Sequence, residues 1–162
     1  LHSFPTRRSS DLVPSQEAIV ADALLFRDWL GDRPEVDGRR IIYQGLSLGG
    51  GVAAALAERQ PPAALILECT FTSMEAMAAR YLLPGFLVEH PFRTEQVLAR
   101  LDVPVLIFHG RYDAVIPVSH GRRLHAAAPR SRYVELNCGH HNYCNDWAAI
   151  VTFLRDNGLT DR

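Results

Sequence analysis

Ser47, Asp113 and the histidine pair His140-His141 are the residues whose types and spacing suit chemistry. Ser47 sits in Gly45-Leu46-Ser47-Leu48-Gly49-Gly50-Gly51, between the apolar run Ile41-Ile42-Tyr43 and the Ala-rich stretch Val52–Arg59. Strand, glycine-flanked turn and helix with Ser at the apex make a G-x-S-x-G nucleophile elbow. Such a turn forces Ser47 into a sparsely populated backbone conformation. Gly45 and Gly49 then stand where a Cβ is expected to clash. The free N–H groups of the following helix point at the same place, and the Leu48 N–H is the expected oxyanion donor. A phosphate cradle is the competing reading, but the P-loop Lys and a G-x-G-x-x-G pattern with a downstream acid are both missing.

A serine nucleophile needs a base, and the base needs an orienting acid. The apolar run Val103–His109 leads into Gly110-Arg111-Tyr112-Asp113, which places Asp113 just past a strand end. Ser131–Leu136 leads into Asn137-Cys138-Gly139-His140-His141-Asn142 in the same way. Gly139 frees the loop to aim His140, the expected base, with His141 as the alternative. His109 reads as a strand-end structural residue, and His90, His120 and His125 read as solvent-facing. Cys138, His140, His141 and Cys144 crowd into one short stretch without a second ligand pair, so no metal site is expected. The three cysteines are odd in number and form no C-x-x-C, which does not indicate a disulfide framework.

The elements that must position these groups alternate. Ser15 is a plausible N-cap for a helix whose apolar stripe runs from Ile19 to Leu30 and stops at Gly31. Strands are expected at Arg40–Gln44, Ala63–Cys69, Val103–His109 and Ser131–Leu136. Helices are expected after the elbow, at Met74–Leu82, Thr94–Leu101 and Pro117–Ala127. A closing helix, capped by Asn145 or Asp146, turns Trp147, Ile150, Val151 and Leu154 inward. Apolar strands alternating with helices imply an α/β fold: about four parallel strands with flanking helices. In the stretch Thr70–Arg93, the residues Met74, Met77, Tyr81, Leu82, Leu83, Phe86 and Leu87 are mostly expected to pack inside, some overhanging Ser47 as an acyl pocket.

Composition narrows the classes. The 162 residues are 48% hydrophobic and 22% charged, with net charge −1, as in one globular domain. All 17 basic residues are Arg, and they are scattered rather than striped, which argues against a nucleic-acid surface. No apolar run approaches a membrane span in length. A cytoplasmic location is expected for the visible part, and nothing in the sequence speaks to oligomeric state. Residues 1–12 read as an artefact: His2–Asp11 matches the in-frame translation of a common sequencing adapter. Residues 13–162 are therefore expected to be a partial domain that starts upstream.

The Gly-Leu-Ser-Leu-Gly-Gly elbow, the segment His109-Gly110-Arg111-Tyr112-Asp113-Ala114-Val115-Ile116-Pro117 and Cys138-Gly139-His140 resemble the three catalytic segments of the α/β-hydrolase superfamily. Cys69–Met74 and the short insert after it resemble its Bem46-like, serine-aminopeptidase-like (S33) branch. The resemblance covers residues 13–158. It implies hydrolysis of carboxylic ester, thioester or amide bonds in a small-molecule or acylated substrate, without a cofactor, by Ser47, Asp113 and His140. It also implies that the four strands are strands five to eight, with the earlier strands and the loop carrying the second oxyanion donor upstream. The segment Gly139-His140-His141-Asn142 departs from the usual Gly-His-Asn-Asp ending. An acyltransferase using the same triad, or a non-catalytic binding protein of this fold, are the alternatives.

Overall fold

The computed structural model describes residues 15–140 and 145–160. Four parallel strands lie in the order β1-β2-β3-β4: β1 Ile42–Leu46, β2 Ala64–Glu68, β3 Val105–Gly110 and β4 Ser131–Leu136. Around them run α1 Gln16–Gly31, α2 Leu48–Arg59, α3 Met74–Ala79, α4 Thr94–Leu98, α5 Val118–Ala127 and α6 Trp147–Asp156. The expected α/β arrangement is present. The expected residues 1–12 artefact lies outside the described residues.

The strands are buried on both faces because helices cover both. One face presents Tyr43, Leu65, Leu67, Val105 and Ile107 to Ala53, Leu56, Leu98 and Leu124 of α2, α4 and α5. The other presents Ala64, Ile66, Leu106 and Phe108 to Ile150 and Phe153 of α6. Phe108 is wholly enclosed there, and truncating such a side chain to Ala costs about 3–5 kcal/mol.

Local chemistry sets the boundaries. Ser15 caps α1 by accepting from the Ala18 N–H. Asp146, not Asn145, caps α6, accepting from Ala148 and Ala149. The first strand begins two residues later than expected, since Gly38–Arg40 forms a 3-10 turn capped by Asp37. The helix expected to reach Leu82 ends at Ala79, where Leu82 takes a positive φ of 58°. In α6 the inward face is Ile150, Phe153 and Leu154, while Trp147 and Val151 face solvent.

β1 lies at the sheet margin, with β2 as its one neighbour among the described residues. A cleft of about 460 Å³ runs beside it, lined by Phe26 and Leu30 of α1, Ile42 of β1 and Val52 of α2. An apolar strand edge of this kind is a template for strand addition. The 162-residue chain made by itself should self-associate with rising concentration in light scattering, and Ile42→Lys should shift it toward monomer. A monomer that stays monodisperse at high concentration would refute this.

Candidate active site

The elbow is built as its glycines suggest, with one difference. Ser47 has φ 54° and ψ −120°, outside the basins an L-residue ordinarily occupies. Its N–H donates to the Glu68 carbonyl at 2.9 Å, and its carbonyl accepts from the Thr70 hydroxyl at 2.7 Å. Both backbone groups of the strained residue are thus held by β2 and the residues after it. A Cβ on Gly45 would lie 2.2 Å from the Gly49 carbonyl oxygen. Gly49 itself has open space around it, contrary to the expectation that both flanking glycines are sterically required. The crowding falls instead on Gly50, where a Cβ would meet Thr70 at 2.5 Å, and on Gly51, where it would meet Phe71 at 2.9 Å. Leu48 opens α2, so its N–H belongs to the first turn, which has no intrahelical acceptor.

Asp113 sits in the turn after β3 with its carboxylate enclosed. Its Oδ1 accepts from the N–H groups of Val115 and Ile116 at 2.9 and 2.8 Å. Its Oδ2 lies 2.8 Å from His140 Nδ1, and His140 Nε2 lies 3.0 Å from Ser47 Oγ. A carboxylate can only accept, so Nδ1 carries the proton and Nε2 is left to accept from the serine hydroxyl. Such a chain can draw a proton from Ser47 onto His140 while Asp113 faces the charge that forms. The structure brings Ser47, Asp113 and His140 together; His141, the alternative base, lies outside the described residues. The acid turn is also laced to the base loop, with Arg111 N–H donating to Leu136 O and Tyr112 N–H to Cys138 O. Cys138 is disulfide-bonded, which the cysteine count did not suggest.

Two further residues, Thr70 and His120, escaped the sequence. Thr70 braces the elbow, as described above. His109 is fully buried, its Nε2 2.9 Å from the Ile116 carbonyl and 3.7 Å from Asp113 Oδ2. Burial pulls its pKa down, outweighing the bond to Ile116 and the nearby Asp113 charge, so the ring is neutral and donates Nε2–H to Ile116. His109 is structural, as its strand-end position suggested, and it fixes the turn that carries Asp113. His120 was expected to face solvent. It is buried, and its Nδ1 accepts from the Thr72 N–H at 3.1 Å. Burial likewise depresses its pKa. A histidine inside the α5 pattern carries no local mark of burial; its contact with Thr72 spans 48 positions.

Cys69, buried beside these groups with φ 44°, has its thiol pKa pushed up to about 11, chiefly by burial. It stays a thiol at neutral pH. The apolar stretch after α3 is exposed instead of packed: Leu82 is 92% and Phe86 86% exposed, whereas Met74 and Met77 pack near Phe71. Among the described residues no group of three or more His, Cys, Asp or Glu side chains could hold a metal ion. None of their helices is long and apolar enough to cross a membrane.

Among known proteins, no family model matches the chain. The α/β hydrolase domain-containing protein WAV2 of Arabidopsis thaliana is 36% identical over 156 residues, 82% of this chain and 50% of WAV2. The lysophosphatidylserine lipase ABHD12 of Danio rerio is 32% identical over 141 residues, 74% of this chain and 36% of that protein. The chain spans about half the length of the curated relatives it matches first. Among solved structures, the α/β hydrolase MGS-MChE2 from a lagoon-sediment metagenome superposes with a TM-score of 0.69 at 18% identity, covering 96% of this chain and 77% of that one. That likeness is one of fold.

Two predictions come from this geometry. Gly45→Ala should abolish the folded elbow, because the Cβ meets backbone that cannot turn aside, while Gly49→Ala should leave the melting temperature within about 2 °C. Equal effects in thermal melts would contradict this difference in clearance. The second concerns Glu135, whose carboxylate bonds Arg122 at 2.9 Å and Arg111 at 3.0 Å and so ties β4 to the acid turn. Arg122, then Arg111, lowers its pKa to about 2. A depressed folded pKa stabilises above the unfolded value and is lost as pH falls from about 4.5 toward about 2. The melting-temperature deficit of Glu135→Gln should therefore shrink over that window; a deficit constant from pH 6 to pH 2.5 would contradict it.

Proposed function

We propose that this chain, which belongs to the α/β-hydrolase superfamily, carries the catalytic triad of a serine hydrolase in its Bem46-like branch. The observation that carries the reading is one imidazole bridging Ser47 Oγ and Asp113 Oδ2. In the proposed reaction Ser47 attacks a carbonyl carbon as His140 Nε2 takes the hydroxyl proton. Asp113 keeps Nδ1 protonated and stabilises the imidazolium. The imidazolium then protonates the leaving alcohol, thiol or amine, and an acyl-serine forms. Water, deprotonated by His140, releases the acid and restores Ser47.

The Leu48 N–H is one oxyanion donor. We propose that the second donor, and the strands that would continue the sheet past β1, belong to the part of the full-length protein that this chain does not span, since it covers about half of its relatives. The substrates are carboxylic esters, thioesters or amides. A relative named as a lysophosphatidylserine lipase supports an acyl compound among them. No step in this scheme calls for a cofactor.

The test is made on the full-length protein with a fluorophosphonate probe and p-nitrophenyl esters. Ser47→Ala should abolish labelling. His140→Ala should lower turnover by roughly 10³ or more, as loss of a triad member does. His141→Ala should cost about tenfold or less. Labelling that survives Ser47→Ala would sink the nucleophile assignment, and a reversed order of the two histidines would make His141 the base.

A further inference from the structure

The strand order sets a distance problem. Ser47 follows β1 and His140 follows β4, three strands away. Neighbouring strands are about 4.8 Å apart, so their ends are separated by about 14 Å. Yet His140 Nε2 is 3.0 Å from Ser47 Oγ. Residues 137–140 must therefore reach back across the carboxyl ends of β3 and β2.

At the end of β2, on the way of that return, stands Glu68. It continues the Ala64, Ile66 side of the strand, where its neighbours are apolar and α6 packs. It is 5% exposed. Its Oε1 accepts from Gln44 Nε2 at 2.5 Å, on β1. Its Oε2 accepts from Asn145 Nδ2 at 3.0 Å. Asn145 lies between His140 and the Asp146 cap of α6. Through its main chain, Glu68 also accepts the Ser47 N–H at 2.9 Å. One residue thus holds the nucleophile by its backbone and Asn145 by its side chain. A carboxylate is costly to enclose unless its oxygens are bonded, so an apolar residue would be the expected occupant if packing alone were at stake.

We infer that Glu68 is a positioning residue for the proposed reaction, fixing His140 against Ser47 through its bond to Asn145. This rests on the serine-hydrolase reading. It makes Asn145 the second half of the same link, and Gln44 the brace that aims the carboxylate. The polarity of the link is specific: a carboxylate accepts and an amide donates. Exchanging the two should preserve it. With Glu68→Gln the new amide still has an oxygen for Gln44 and a nitrogen to donate toward position 145. Combined with Asn145→Asp, the donor and acceptor are reversed and the bond is remade.

The experiment measures kcat and KM for p-nitrophenyl acetate, the rate of fluorophosphonate labelling at Ser47, and thermal melts, in the full-length protein. Asn145→Asp sets carboxylate against carboxylate. It should lower kcat and the labelling rate by about tenfold to a hundredfold with KM unchanged within about twofold, as displaced reacting groups do. Glu68→Gln with Asn145→Asp should return both rates to within about threefold of the parent protein. If Asn145→Asp fails to fold, Asn145→Ala supplies the comparison and should lower kcat by about tenfold at unchanged KM. Unchanged rates in the folded Asn145 variants overturn the inference, as does a double variant that stays as slow as Asn145→Asp. A parent protein labelled at Ser47 with indifferent variants refutes the positioning role alone. A parent that is not labelled at Ser47 refutes the hydrolase reading and this inference with it.

Discussion

The backbone of Ser47 is the constraint on which the site depends. At φ 54° and ψ −120° it lies outside the common basins, and a residue so held costs of order 1–3 kcal/mol. Such a conformation persists only where its surroundings over-determine it. Here both its N–H and its carbonyl are bonded, to Glu68 and Thr70. β2 supplies that hold because it is enclosed on every side, with strands on both edges and helices on both faces. Gly45 and Gly50 let the neighbouring backbone and Thr70 come close enough to close the turn. The elbow is thus strained locally and rigid globally.

A second consequence concerns charge. His109 stands 3.7 Å from Asp113 Oδ2, near enough to pair with it if protonated. Burial prevents that by lowering its pKa. The neutral ring instead bonds the Ile116 carbonyl, while Asp113 receives the Val115 and Ile116 N–H groups and faces His140. A charged His109 would compete for the carboxylate that the proposed mechanism assigns to His140. Burial of one histidine keeps the acid available to the other.

Much of this was legible in the chain. β4 was readable to the residue, and the positions of Ser47, Asp113 and His140 at three strand ends follow from periodicity and turn residues. What was not legible depends on contacts between distant positions. The symmetry of the G-x-S-x-G pattern suggested equal need for Gly45 and Gly49, but clearance is decided by what lies across the turn, and only Gly45 faces backbone. His120 reads as a helix-surface residue until Thr72 is brought to it. Tyr81, Leu82, Leu83, Phe86 and Leu87 read as mostly packed, with some overhanging Ser47, yet α3 ends at Ala79 and all five are exposed.

Most of the buried polar side chains fall at one end of the sheet. The buried polar side chains among the described residues are Glu68, Thr70, Thr72, Thr94, His109, Asp113 and His120. All but Thr94 lie at or after the carboxyl end of a strand. The stretch of exposed large apolar side chains from Tyr81 to Leu87 follows the carboxyl end of β2 as well. At the opposite end, Ala64, Leu65, Val105 and Leu106 are buried and uniformly apolar. Apolar burial carries most of the stabilisation in a fold of this kind, and it runs along the strands through Leu67, Ile107 and Phe108 before the polar groups begin. The carboxyl ends are thereby free to keep enclosed hydrogen-bonded groups and an open apolar surface that a fold selected for stability alone would replace.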